Sequence, residues 1–207
     1  MKSILFTLLS LSVILLYGQK IEEKTISNSA IKSIIIEGDA IFKITIKTST
    51  TKNIKITSNI EGEYTSNTNV VSKVDKNDLL ITCDYPKLDY KTDDKLNAHK
   101  VHSIEISLEI PEHLSLNINS EIASAKISGT YKYLLLELNQ GNAQLLNFSG
   151  NATINTFNGN IYIETSNARI KAKTKTGILK TEKITESQNH IEIKSINGNI
   201  NICKTKN

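Results

Sequence analysis

Residues 141–165 read GNAQLLNFSGNATINTFNGNIYIET. Gly141, Gly150 and Gly159 stand nine residues apart, and Gly177 keeps the same step with Ala168 where the missing glycine would fall. Aligned on these positions, the second residue after each turn is Ala143, Ala152, Ile161, Ile170 and Leu179, and the fourth is Leu145, Ile154, Ile163, Ala172 and Thr181. Two positions apart is the parity of one face of a strand. The residues between them, Gln144, Thr153, Tyr162, Lys171 and Lys180, are mostly polar and belong on the wet side. A third apolar column starts seven residues after the turn, with Phe148, Phe157 and Ile184, and is broken by Ser166 and Lys175. The pattern fades and then returns around Gly198, with Ile200 and Ile202 at the same offsets.

A strand and turn this short cannot bury its own apolar face. Stacked on copies of itself it forms a continuous column. The spacing therefore predicts an all-β chain, a β-solenoid of short strand and turn repeats, each nine-residue step laid on the one beneath. Gln140-Gly141, Ser149-Gly150, Asn158-Gly159 and Asn197-Gly198 are expected to supply positive φ at the corners, and the aligned asparagines to form side-chain ladders. Asn-Gly hairpins in an antiparallel sandwich are the competing architecture.

Working outward, the first half alternates without the fixed period. Phe42, Ile44 and Ile46 share one parity, as do Leu79, Ile81 and Cys83, and Ile104, Ile106, Leu108 and Ile110, where Pro111 ends the run. The segment between Asp84 and Val101, with Tyr85, Pro86, Tyr90, Asp93, Asp94 and His99, reads as an extended loop. Helical periodicity is convincing nowhere after the leader.

That leader is Lys2, an apolar run from Ile4 to Tyr17, and the small residue Gly18. It has the three-part plan of a secretory signal peptide and is too short to cross a bilayer comfortably. The expected organisation is a signal peptide over 1–18 and one domain over 19–207, irregular across 19–111 and regularly repeated across 112–207. Export permits a disulfide between Cys83 and Cys203, the only two cysteines, although two free thiols suit their positions at least as well.

Composition agrees. The 207 residues include 32 Ile, 20 Thr and 22 Asn, an excess of β-branched residues and of the residue that best tolerates left-handed turns. The formal net charge is +4, and Arg169 is the only arginine. With no tryptophan and few aromatics, arginine forks and stacking platforms for nucleic acid are nearly absent, whereas a mild positive field suits anionic glycans or lipid head groups.

The stretch from Ile104 to Ile202 contains Ile110-Pro111, Leu114 to Ile118, Glu137 to Gly141, Gly150 to Ile154, Asn158 to Ile161 and Ile196 to Ile200. With Glu37 to Ile41 near the start, it resembles the putative adhesin β-strand-repeat proteins and the related head domain of auto-transporter adhesins. The resemblance implies a β-helix-like fold and residence outside the cytoplasm, in a Gram-negative bacterium of the Bacteroidetes type. It carries no catalytic or binding residue over to this chain.

Signatures of enzymes are scarce. There is no Gly-x-Ser-x-Gly elbow, phosphate-binding glycine loop or Cys-x-x-Cys pair, and the glycine corners lack the aspartates of calcium-binding rolls. His99 and His102 with Asp93 and Asp94 have metal-ligand spacing, but in a polar loop they read as solvated. Arg169 with Glu164 and the row Lys171, Lys173 and Lys175 could serve a polysaccharide-cleaving site, against the plainer reading of a charged outer face. Catalytic, cofactor-binding and metal residues are thus expected to be none, with no cofactor. The function expected is a non-enzymatic structural or adhesin-like binding protein of the cell envelope, whose partner is an envelope or host glycan or protein. A carbohydrate-active enzyme and an envelope or signalling accessory protein are the alternatives.

Overall fold

In a computed structural model, residues 19–27, 29–62, 65–85 and 103–206 are described. The leader and the segment with Asp93, Asp94, His99 and His102 lie outside them. The fold is all-β, as the alternation requires. In chain order the strands are β1 (Lys20–Ile26), β2 (Ser33–Glu37), β3 (Lys43–Ser49), β4 (Ile54–Glu61), β5 (Asn69–Asp75), β6 (Asp78–Asp84), β7 (Ser103–Pro111) and β8 (Ser115–Ser120). There follow β9 (Ser124–Gln140), β10 (Ala143–Asn158), β11 (Ile161–Thr165), β12 (Asn167–Thr174), β13 (Leu179–Thr181), β14 (Thr185–Asn197) and β15 (Ile200–Lys204).

All fifteen belong to one curled, open sheet with two limbs. One limb runs β1-β4-β7-β3-β9-β10-β11-β15-β13, the other β5-β6-β2-β8-β9-β10-β14-β12. Strands β9 and β10 belong to both, because each is long enough to bend at its middle, where Gly129 and Gly150 adopt positive φ. Pairing is parallel throughout except in β1-β4-β7 and β5-β6.

The pairing step is eighteen residues, not nine. Ala143 pairs with Ile161 and with Ala125, and Ala152 with Leu134. Residues nine apart, such as Ala143 and Ala152, therefore fall on different limbs, and Gly141 stacks on Gly159, eighteen residues on, while Gly198 comes between Gly159 and Gly177. This corrects the expected nine-residue turn. It also breaks the expected third column: Phe148 is buried, Phe157 is 51% exposed and Ile184 is half-buried.

The assigned inner faces hold. On one limb the register lines up Ile106, Ile44, Ala125, Ala143, Ile161 and Ile200; on the other, Leu79, Ile34, Leu116, Leu134, Ala152 and Ile191. All twelve are buried in one core. Each such Ile or Leu contributes about 1.5–3 kcal/mol by leaving water. Exceptions lie at the margins, where Leu179 and Thr181 of β13 are exposed and Phe42, just before β3, is 55% exposed.

Strand order departs from chain order at both ends. β2 and β3 lie between β6-β7 and β8-β9, and β14 and β15 between β10-β11 and β12-β13. The later segment has the better apolar columns, Ile191 and Ile193 with Ile200 and Ile202. It takes the inner position and leaves the poorer pair, Ile170 and Ala172, half-buried at the margin.

Candidate binding face

Outward-facing residues of a parallel sheet in register form rows across the strands. On the second limb one row runs Glu37, Asn119, Glu137, Asn155, Lys194 and Lys173. The next runs Leu135, Thr153, Glu192 and Lys171, and another Tyr133, Asn151, His190 and Arg169 by way of the Asn151 amide, whose Oδ1 accepts the His190 N–H at 2.8 Å. Tyr133 is exposed and donates to Thr153 Oγ1 at 2.8 Å.

Beside the first row is a shallow groove of about 330 Å³ lined by Asn119, Glu137, Asn139, Asn155, Phe157 and Ile196, among others. Phe157 and Ile196 form an apolar patch in a polar surround. The amides are oriented by carboxylates: Asn139 Nδ2 donates to Glu121 Oε2 at 2.6 Å, and Asn155 Nδ2 to Glu137 Oε1 at 3.3 Å. Toward β12 the surface turns cationic, with Arg169, Lys171, Lys173 and Lys194 around a single carboxylate, Glu192. The Lys194 ammonium hydrogen-bonds Glu192 at 3.0 Å and holds its carboxyl below the usual range, with the charge of Lys171 acting in the same direction.

Other asparagines are spent on the fold. Asn160 N–H donates to Asn142 Oδ1 and Asn199 N–H to Asn160 Oδ1, both at 2.8 Å, and Asn197 Nδ2 donates to Asn158 Oδ1 at 2.8 Å. These are the corner ladders the sequence suggests. At all four corner glycines, Gly141, Gly150, Gly159 and Gly198, the next backbone approaches too closely for a Cβ, but only Gly141 and Gly150 have the expected positive φ.

A second cavity, about 380 Å³, lies at the mouth between β1 and β5. Core-facing positions of β1 hold Lys20, Glu22 and Lys24, opposite Ile60, Ser58 and Ile56. Lys20 Nζ donates to Thr68 O at 3.0 Å and to Asn69 Oδ1 at 2.6 Å, and Lys24 Nζ to Ser72 O at 3.4 Å. These charges close the open end of the core and blunt two sheet edges.

Glu164 and Arg169 are not brought together. Glu164 lies on β11 beside Cys203 of β15, and Arg169 on β12 beside His190 of β14, on different limbs. Among the described residues no group of three or more His, Cys, Asp or Glu could hold a metal. Cys83 and Cys203 are free thiols, one on β6 and the other on β15 at the opposite end of the strand order. The groove was missed from sequence because Phe157 fitted an inward column at the nine-residue step.

No family model and no curated protein matches the chain. A solved structure does. The chain shares its fold with a putative cell adhesion protein of Clostridium sporogenes. That likeness has a TM-score of 0.65 at 19% sequence identity and covers 91% of this chain and 100% of the other. A putative adhesin from Bacteroides fragilis aligns over 91% of this chain and 99% of its own at 12% identity, with a TM-score of 0.38. At 19% identity the likeness to the C. sporogenes protein is one of fold.

Proposed function

We propose that this is an exported, non-catalytic binding protein of the bacterial cell envelope, adhesin-like in role. On this reading it holds a glycan or protein partner on the outer face of the second limb. The groove around Phe157 carries the reading. An exposed aromatic ring set among oriented amide and carboxylate groups can stack on the apolar face of a sugar ring, or seat an apolar side chain, while the polar groups fix orientation. The adhesion role ascribed to the C. sporogenes protein of the same fold supports it. So does the leader over 1–18, which fits secretion followed by a single domain over 19–207. The winding we propose is that of a β-solenoid with two strands to each eighteen-residue rung and intercalated rungs at both ends.

The test is binding to an array of envelope and host glycans and a pull-down from envelope extract, each with Phe157→Ala beside the unaltered chain. The expected result is a bound component whose retention falls about tenfold in the variant, as loss of a buried aromatic contact predicts. No bound component, or retention equal in both proteins, would reject this face as the site.

A further inference from the structure

We propose that the outer face of β12 and β14 binds an anionic polysaccharide, its carboxylate or sulfate groups held by Arg169, Lys171 and Lys173; this rests on the binding role argued above and names its ligand class. These three side chains are exposed, on alternate residues of one strand, so their stems leave the sheet about 7 Å apart in a straight row. The neighbouring strand adds Lys194 opposite Lys173. Between residues 165 and 179 the chain has no acidic residue, and its cations Arg169, Lys171, Lys173 and Lys175 equal in number the net charge of the whole protein, +4. The only arginine, the side chain best shaped to grip a carboxylate or sulfate with two hydrogen bonds, is in this row. Among the described residues Arg169, Lys171 and Lys173 have no ion-pair partner, whereas Lys43, Lys47 and Lys55 on the other limb pair with Glu105, Glu109 and Glu23 at 3.0–3.1 Å.

β12 is also an edge strand, and lysines at an edge discourage pairing with other chains. The opposite margins show what that alone requires. β1 carries Lys20, Glu22, Glu23 and Lys24, and β5 carries Lys73 and Asp75, so both signs serve. A row of one sign does more than blunt an edge. It sets a periodic potential against which a polymer of regularly spaced anions gains at several points together, each point being weak in water. The row adjoins the groove through Lys194 and Asn155, so one chain could reach both.

The full chain is titrated with heparin and with polygalacturonate, with dextran as the uncharged comparison, at low and at physiological salt. Two triple variants are compared: Arg169→Gln with Lys171→Gln and Lys173→Gln, and Lys52→Gln with Lys126→Gln and Lys204→Gln, exposed lysines elsewhere whose loss changes net charge equally. The expected result is salt-sensitive binding of both polyanions and none of dextran, with affinity lowered about tenfold or more by the first triple and little by the second. Equal losses in the two triples would overturn the proposal, since the ligand would then sense net charge alone. A first triple that self-associates with unchanged affinity would overturn it in favour of edge protection. Binding to phosphatidylglycerol vesicles without binding to either polymer would overturn it in favour of a lipid surface. Capture of a neutral glycan that Phe157→Ala abolishes, without polyanion binding, would overturn it while leaving the groove's role intact.

Discussion

The ring of Tyr131 stacks on that of Phe148, centroids 5.6 Å apart and planes at 12°. Both are buried where β9 and β10 turn from one limb into the other. The Tyr131 hydroxyl donates to Ser128 O at 3.0 Å, just before the Gly129 bend, and Thr165 Oγ1 donates to Phe148 O at 2.8 Å. In a chain of four phenylalanines and no tryptophan, this pair fills the corner that isoleucine columns leave open.

Phe148→Ala should therefore cost about 3–5 kcal/mol, the transfer term plus an unfilled cavity. Tyr131→Phe keeps the stack and loses one hydrogen bond to a carbonyl, about 1 kcal/mol. Urea denaturation of the two variants checks the order. A Phe148→Ala protein as stable as Tyr131→Phe would mean that the corner collapses without cost.

A Cβ on Gly159 would strike the carbonyl of Gly141 at the adjoining corner, between β9 and β10, where only backbone could move. Gly38 differs: an added Cβ would meet Ile44 and Ser120 side-chain atoms at 3.4 Å, ordinary contact. Gly159→Ala is expected to destabilise by about 2 kcal/mol or more, and Gly38→Ala by less than about 1 kcal/mol. Thermal melts decide it, and an unaffected Gly159→Ala would contradict the eighteen-residue stacking.

Facing is tested by Ile163 and Tyr162. Ile163 is fully buried between Leu145 and Ile202, while Tyr162 looks outward between Gln144 and Asn201. Ile163→Asp places a carboxylate in a dry column, and the chain should fail to fold or lose at least about 4 kcal/mol. Tyr162→Asp should stay within about 1 kcal/mol of the unaltered chain. Equal losses by circular dichroism melts would refute the assigned face.

The facing was legible in the sequence because strand alternation needs no knowledge of partners. The partner spacing was not. A nine-residue step gives the same inward positions whether each turn stacks on the next or alternate turns stack on separate limbs, so Ile154 and Ile163 were placed correctly while Phe157 was placed inward. Strand order at the ends was illegible for another reason. Whether β12 or β14 lies against β10 depends on which segment fills a column better, Ile191 and Ile193 or Ile170 and Ala172, and that competition is tertiary. The groove at Phe157 was hidden by the same ambiguity of period, which turns that ring inward. The cation row was visible as spacing, and its lack of ion-pair partners only became so once β14 stood beside it.

Cys83 provides a probe of the buried face at the other end. Burial pushes its thiol up to about 11, because desolvation penalises the thiolate. Iodoacetamide should therefore label folded Cys83 slowly at pH 8 and reach half its limiting rate near pH 11, while in urea labelling should follow an ordinary thiol near 8.5. The sign carries into stability. Between those two values the unfolded chain releases a proton that the folded chain retains, so stability is intact below about pH 8.5 and falls as pH rises toward 11. Burial also pushes the Tyr131 hydroxyl upward, which steepens the same alkaline decline. Mass spectrometry of the labelled peptide, with a Cys83→Ser protein for comparison, separates the two. A folded Cys83 that alkylates at the free-thiol rate at pH 8 would show that the second limb opens at β6 in solution.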